Sequence, residues 1–265
     1  MRVATNGTTL DVDVRGVDTG RAGAPPALVF LHFFGGSSRT WAEVAGRLED
    51  DFPCVIPSLR GWGGSPATPA GYTVADMADD VAGLIEALGL RRYVLVGHSM
   101  GGKAAFALAA RRPAGLVALV LVAPSPPSPE PIADAERARL LASFGDRAAV
   151  EETVRGITAA PLAPVLFEHT VADALCASRP AWNAWLNAGS REDLTHLAPR
   201  VAVPTLVVAG RTDAPLTPAV LERTVTARIA SARQTVIEAA GHGLPLEAAD
   251  ALAGLIRAHA AGGGA

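Results

Sequence analysis

Five residues near the middle of the chain, Gly97-His98-Ser99-Met100-Gly101, set a possible nucleophile between two glycines. The apolar run 93–97 before them reads as a strand, and the pattern at 102–112 after them reads as a helix. A serine on so tight a strand-to-helix turn sits in a strained backbone, and the residues two before and two after it crowd each other. Gly97 and Gly101 are small enough for that crowding. The turn lifts the Ser99 hydroxyl above the carboxyl edge of a sheet, and the helix start adds positive potential beside it.

A serine hydroxyl is a weak nucleophile until a base takes its proton. In this strand–turn–helix setting the helpers follow in the order Ser, Asp or Glu, then His. Two histidines lie beyond the last core strands, His242 and His259. His242 sits in Ala239-Ala240-Gly241-His242-Gly243, a loop of small residues that can bring an imidazole over a neighbour. His259 reads as a surface residue of a terminal helix. Asp213, just past the run Val207-Val208-Ala209-Gly210, is the candidate acid. Asp134, Asp146, Asp173 and Asp193 lie in another segment, and Asp250 follows the histidine.

Acyl transfer also needs N–H donors waiting for the oxyanion. Met100, directly after the serine, offers one. The loop His32-Phe33-Phe34-Gly35-Gly36 offers the second, with Phe34 preferred over Phe33 as the donor. His32 reads as a structural histidine bonded to backbone.

The elements that must position these groups are legible as alternating runs. Residues 8–15 alternate apolar and polar, as an antiparallel strand at a sheet edge does. The runs 27–32, 52–56, 93–97, 117–123 and 203–209 are almost continuously apolar, as strands covered on both faces are. Residues 233–238 read as a last strand. Helical patterns fall at 73–88, 102–112, 217–230 and 247–259. Strands alternating with helices imply an α/β fold with a mostly parallel sheet. From Pro124 to about Arg200 the rhythm stops. A proline-rich stretch there gives way to helical patterns near 132–143, 147–158, 164–177 and 181–189. The expected organisation is a core of 1–123 and 201–265 with a helical cap of 124–200 inserted. Trp182 and Trp185 share a helix face. They line an apolar substrate pocket or they bond cap to core, and both readings stay open. The tail Gly262-Gly263-Gly264-Ala265 is expected to fray.

Composition narrows the classes. The chain has 265 residues, 49% hydrophobic and 18% charged, with a net charge of −3. No basic run offers a footprint for nucleic acid. No window of 18 apolar residues offers a membrane span, so a soluble, cytoplasmic protein is expected. Cys54 and Cys176 do not make a disulfide framework, and Cys54 reads as a small buried hydrophobe. The histidines are scattered, so no metal and no other cofactor is expected. Lys103, just inside the helix after Ser99, has no evident role. Oligomeric state is not readable.

In five places the chain resembles the α/β-hydrolase family, in its cofactor-free esterase, lactonase and haloperoxidase (perhydrolase-like) branch. They are His32-Phe33-Phe34-Gly35-Gly36 with Trp41, Leu59-Arg60-Gly61-Trp62-Gly63-Gly64-Ser65, Gly97 to Gly102, Gly210 to Asp213, and Gly241-His242 with Glu247. Phe33 stands where the family usually has glycine, and Ser58 where it commonly has aspartate. Some relatives carry the acid one strand earlier, but Ala123-Pro124-Ser125 has no carboxylate there. The resemblance implies an α/β-hydrolase fold and a carboxylic ester hydrolase with Ser99, Asp213 and His242 as its triad. Phe34 and Met100 would form the oxyanion hole. Phe33, Trp182 and Trp185 would touch a small-molecule ester or lactone. The same residues would also serve a cofactor-free haloperoxidase, or a ligand receptor on the same fold.

Overall fold

The computed structural model describes residues 1–16 and 24–262. Eight strands form one sheet: β1 (Arg2–Thr5), β2 (Thr8–Arg15), β3 (Ala27–Leu31), β4 (Cys54–Pro57), β5 (Tyr93–His98), β6 (Leu116–Val122), β7 (Thr205–Gly210) and β8 (Ala232–Ile237). The spatial order is β1-β2-β4-β3-β5-β6-β7-β8. β2 runs antiparallel to β1 and β4, and every later pairing is parallel. β2 is therefore not the edge: β1 is. Its alternation covers only four residues before the turn at Gly7, too short a run to stand out in the sequence.

Among the described residues ten α-helices accompany the sheet: α1 (Ala42–Ala45), α2 (Val74–Ala87), α3 (Met100–Ala109), α4 (Asp134–Ala142), α5 (Arg147–Gly156), α6 (Pro164–Leu175), α7 (Arg179–Asn187), α8 (Pro218–Thr224), α9 (Leu244–Glu247) and α10 (Ala249–Gly262). The central strands alternate their side chains between two cores. Val29, Leu31, Leu95, Leu119 and Val207 pack toward α2, α3 and α8. Leu28, Phe30, Val94, Val120 and Val208 pack toward α1 and α10. Burial on both faces is why these strands read as unbroken apolar runs.

α4 to α7 lie between β6 and β7, as the break in rhythm anticipates, and no strand is assigned in that stretch. Their buried Val150, Val154, Val171, Trp182 and Trp185 belong to the same apolar cluster as the α2–α3 face of the sheet. Lys103, buried on α3, fastens both ends of this segment. Its ammonium donates to the Ser128 carbonyl at 3.2 Å and the Glu192 carbonyl at 2.6 Å. Burial pulls its pKa down to about 8.

One helical pattern is cut short and another is shifted relative to the sequence reading. The 217–230 pattern gives α8 and then a 3-10 turn at Thr226–Arg228, breaking at β-branched Thr224-Val225-Thr226. The 247–259 pattern belongs to α10, separated from α9 at Ala248, whose φ of −136° is not helical. His259 is buried rather than at the surface. Its ring meets the Pro204 carbonyl at 3.2 Å because α10 lies flat on the sheet. Gly262 closes α10, and the rest of the tail lies outside the described residues.

One buried ion pair joins three parts of this frame. Arg60 follows β4, Asp80 lies on α2, and their side chains are 7% and 1% exposed. The Arg60 Nε donates to Asp80 Oδ2 at 2.8 Å, and Asn6, in the β1–β2 turn, donates to Oδ1 at 3.1 Å. Removing one partner leaves a buried charge uncompensated. Asp80→Ala is expected to lower unfolding free energy by about 3–5 kcal/mol. Asp79→Ala, at the exposed pair with Arg111, is expected to cost under about 1 kcal/mol. Guanidinium denaturation of both variants measures the difference.

Candidate active site

The parallel strands end at one rim, and the loops that leave it carry the candidate residues. Ser99 lies between β5 and α3 at φ 51° and ψ −115°. Only a crowded, well-bonded turn holds a non-glycine residue there. Its N–H donates to Val122 O at 3.0 Å, and its carbonyl accepts from Gly102, Lys103 and Ser125 at 2.9, 3.2 and 3.0 Å. A Cβ on Gly97 would stand 2.5 Å from the Gly101 carbonyl oxygen, so the predicted crowding is real.

Ser99, His242 and Asp213 meet, although 143 residues separate the first two and 29 the last two. His242 Nε2 lies 3.0 Å from Ser99 Oγ, and its Nδ1 lies 2.7 Å from Asp213 Oδ2. Asp213 is 1% exposed, and its Oδ1 accepts from the Leu216 N–H at 3.2 Å. With Nδ1 donating to the carboxylate, Nε2 is left to accept from the hydroxyl. Burial works against a charged imidazole, but Asp213, with smaller contributions from Glu130 and Glu247, outweighs it and holds the His242 pKa above its usual range.

The other acidic candidates are engaged elsewhere. Asp146 caps α5, and Asp173 bonds Ser37 and Arg39. Asp134 pairs with Arg191, Asp250 with Arg47, and Asp193 accepts from the Thr195 N–H.

The loop after β3 is oriented by His32. Its Nε2 accepts from the Leu59 N–H at 2.9 Å, so its Nδ1 carries the proton and donates to Phe33 O at 2.7 Å. Burial lowers its pKa to about 4 and keeps the ring neutral. The Phe33 carbonyl also accepts from Gly36 N–H at 3.0 Å. A trans peptide sets its N–H opposite its C=O, so the Phe34 N–H points away from the ring of His32. The Gly101 N–H donates to His32 O at 3.1 Å and ties this loop to α3. No acceptor among the described residues takes the N–H of Phe34 or of Met100.

Two residues that sequence reasoning left unassigned brace His242. His98 Nε2 lies 2.8 Å from the His242 carbonyl, and burial keeps the His98 ring neutral. Glu247 accepts from the Gly241 N–H at 3.1 Å and from the Ala159 N–H. The His242 N–H donates to Ile157 O at 2.8 Å. The histidine loop is thus bonded to the end of α5 and to α9. Glu247 stood in the resemblance motif, but its partner Ala159 is too distant in sequence to be foreseen.

A cavity of about 350 Å³ opens onto Ser99 and His242. Phe33, Phe34, Leu140, Val154, Trp182 and Trp185 supply much of its wall. Trp182 has contacts on several sides. It lines the cavity, packs tilted against Phe34 and Trp62 with ring centroids 4.3 and 6.1 Å away, and donates from Nε1 to Leu140 O at 2.9 Å. Among the described residues no group of three or more His, Cys, Asp or Glu side chains is placed to hold a metal ion. No described helix is long and apolar enough to cross a membrane.

A strained serine at the carboxyl rim of a mostly parallel sheet, bonded to a histidine from the loop after the last strand, defines a class. The profile of the alpha/beta hydrolase family matches residues 28–255, and the chain belongs to that family. An esterase of Thermogutta terrifontis is 29% identical, with all of both chains covered and a TM-score of 0.85. The enol-lactonase of Burkholderia xenovorans is 28% identical over 98% of this chain and 99% of its own, with a TM-score of 0.84. An uncharacterized protein of Mycobacterium tuberculosis is 37% identical over 101 residues, 38% of this chain but only 30% of that protein. The chain thus spans under a third of that relative's length.

The hydrogen bonds fix which imidazoles can take up a proton near neutrality. In histidine-detected NMR titrations, His242 is expected to titrate above pH 6.5 and His32 near pH 4. Asp213→Asn should bring the His242 midpoint below that of the wild type. An unchanged midpoint would mean that the carboxylate does not hold the ring.

Proposed function

We propose that this protein is a serine hydrolase that cleaves carboxylic esters or lactones of small to medium apolar acyl groups through an acyl-enzyme. The observation that carries the reading is the continuous chain Ser99 Oγ–His242–Asp213 at 3.0 and 2.7 Å, opening onto an apolar cavity. Support also comes from the esterase and the enol-lactonase, whose chains align with this one almost end to end.

In this mechanism His242 Nε2 takes the Ser99 proton as Oγ attacks the ester carbonyl. The N–H groups of Phe34 and Met100 receive the oxyanion, which is why His32 must hold the Phe33–Phe34 peptide in one orientation. His242 then protonates the leaving alcohol, or the ring oxygen of a lactone. Water, deprotonated by the same imidazole, attacks the acyl-enzyme and frees Ser99 with the acid. Asp213 fixes the imidazole tautomer and stabilises the imidazolium. The segment 124–200 serves as a cap on a core of 1–123 and 201–265, and its Trp182 and Trp185, with Phe33, contact the acyl group. Every step is supplied by side chains and backbone, without a metal or organic cofactor.

The test is a series of p-nitrophenyl esters of rising chain length beside simple lactones. Ser99→Ala is expected to lower kcat/KM by about 10³-fold or more. A fluorophosphonate probe should label Ser99 in the wild type alone. Equal activity in wild type and variant would refute the nucleophile. The base must be neutral, and Asp213 holds the His242 pKa above 6.5. Hydrolysis should therefore rise with pH through a midpoint above 6.5. Asp213→Asn should reduce kcat by about 10⁴-fold.

A further inference from the structure

Phe34, the proposed oxyanion donor after β3, lies in a four-residue turn. The Gly36 N–H closes the turn on Phe33 O at 3.0 Å, and Gly35 takes φ 85°. A type II turn requires a positive φ at that third position. A peptide inside a turn points one way only if both ends of the turn are held. His32 holds the first end, through Leu59 and Phe33. The second end passes directly into Ser37, and its anchor comes from a distant part of the chain.

Asp173 lies on α6, 136 residues beyond Ser37. Its side chain is buried, and Oδ2 accepts from Ser37 Oγ at 2.8 Å. The Arg39 guanidinium closes on the same carboxylate. Its Nε lies 3.0 Å from Oδ1 and 3.3 Å from Oδ2, and its Nη2 also donates to Oδ1. Ser37 Oγ in turn accepts from the Arg39 N–H at 3.1 Å, and the Ser37 N–H donates to Thr40 Oγ1 at 3.3 Å. The next residue of α6 adds a packing contact. A Cβ on Gly35 would stand 3.5 Å from the Ala174 Cβ, so α6 lies against the turn itself. Hydrogen bonds to an ionised carboxylate are of the stronger class, and this one is shielded from water.

We infer that Asp173 is a positioning residue for the oxyanion hole: through Ser37 it fixes the far end of the turn that aims the Phe34 N–H. This rests on the ester-hydrolase reading and adds that α6 governs transition-state stabilisation as well as the shape of the cavity. Thr170 and Ala174 of α6 line that cavity and Asp173 does not, so Asp173 acts through the loop. A plain fastener between helix and loop would affect stability and leave the preference for the transition state unchanged.

The experiment compares a transition-state mimic with its ground-state counterpart. Ser99 Oγ bonds to the carbonyl carbon of 1,1,1-trifluorooctan-2-one, the hydroxyl proton passes to His242, and the ketone oxygen becomes the oxyanion. Octan-2-one has the same length without the activated carbonyl. The Ki of both ketones, and kcat and KM for p-nitrophenyl butyrate, are measured at a temperature where circular dichroism shows each variant folded. Asp173→Ala should raise the trifluoroketone Ki and lower kcat by about 10- to 100-fold, the scale of a misplaced oxyanion donor. The octan-2-one Ki should stay within about twofold. Asp173→Asn should recover most of the loss, because its amide oxygen still accepts from Ser37 Oγ. Ser37→Ala keeps the Asp173–Arg39 pair and should behave like Asp173→Ala, and the double variant should be no worse than the worse single one. Equal changes in the two Ki values in Asp173→Ala would overturn the inference. So would an unchanged trifluoroketone Ki in Ser37→Ala, which carries the test should Asp173→Ala not fold.

The Phe34 amide separates this inference from the reaction beneath it. In protein labelled with 15N-phenylalanine, Asp173→Ala should displace the Phe34 amide resonance, and Asp173→Asn should restore it. A wild type that binds the trifluoroketone no more tightly than octan-2-one would remove the nucleophile, and a displaced Phe34 amide would still support the hold of Asp173 on the turn. A Phe34 amide unchanged in Asp173→Ala removes that hold even if Ser99 is the nucleophile.

Discussion

Ser99 holds φ 51° and ψ −115° between a central strand and a helix, a backbone state that costs an L-residue about 1–3 kcal/mol. It persists because its peptide groups are bonded on every side, to Val122, Gly102, Lys103 and Ser125. The turn also fixes its surroundings. Gly101 reaches across to His32, so a backbone hydrogen bond joins the helix after the serine to the loop after β3. Strain at the serine, the orientation of the Phe34 N–H and the neutrality of His32 are one coupled arrangement.

The histidine loop is held from another direction. His98 grips the His242 carbonyl from beneath, while Ile157 and Glu247 grip the loop from the side of α5 and α9. At the end of β7 the approach is so close that a Cβ on Gly210 would lie 1.9 Å from the Gly241 carbonyl oxygen. Helices α4 to α7 therefore do more than line a cavity. They bear on the loop that carries the proposed base, and Lys103 anchors their two ends to the helix of the proposed nucleophile. Changes in that segment are coupled to imidazole placement through backbone hydrogen bonds.

Charge is placed with the same economy. His32 and His98 are kept neutral by burial, while His242 is the one of the three whose carboxylate neighbours outweigh burial. His242 thus has two neutral rings for neighbours rather than two rivals for the proton.

The sequence alone determined the elements with strong local signatures. Continuous apolar runs identified the parallel strands because both their faces are buried, and the glycine-flanked serine identified the turn because only small residues tolerate its crowding. The candidates Ser99, Asp213 and His242 followed from the order in which this strand–turn–helix setting takes its helpers. β1 escaped notice because four alternating residues are too short a signal, and His259 was misplaced because periodicity does not reveal how flat α10 lies on the sheet. What only the tertiary structure decided are contacts between segments far apart in the chain. The grip of Glu247 on Ala159, the staple from Lys103 and the hold of Asp173 on Ser37 have no local pattern. Each exists because three-dimensional packing brings one side chain to a backbone group or a hydroxyl that no residue spacing encodes.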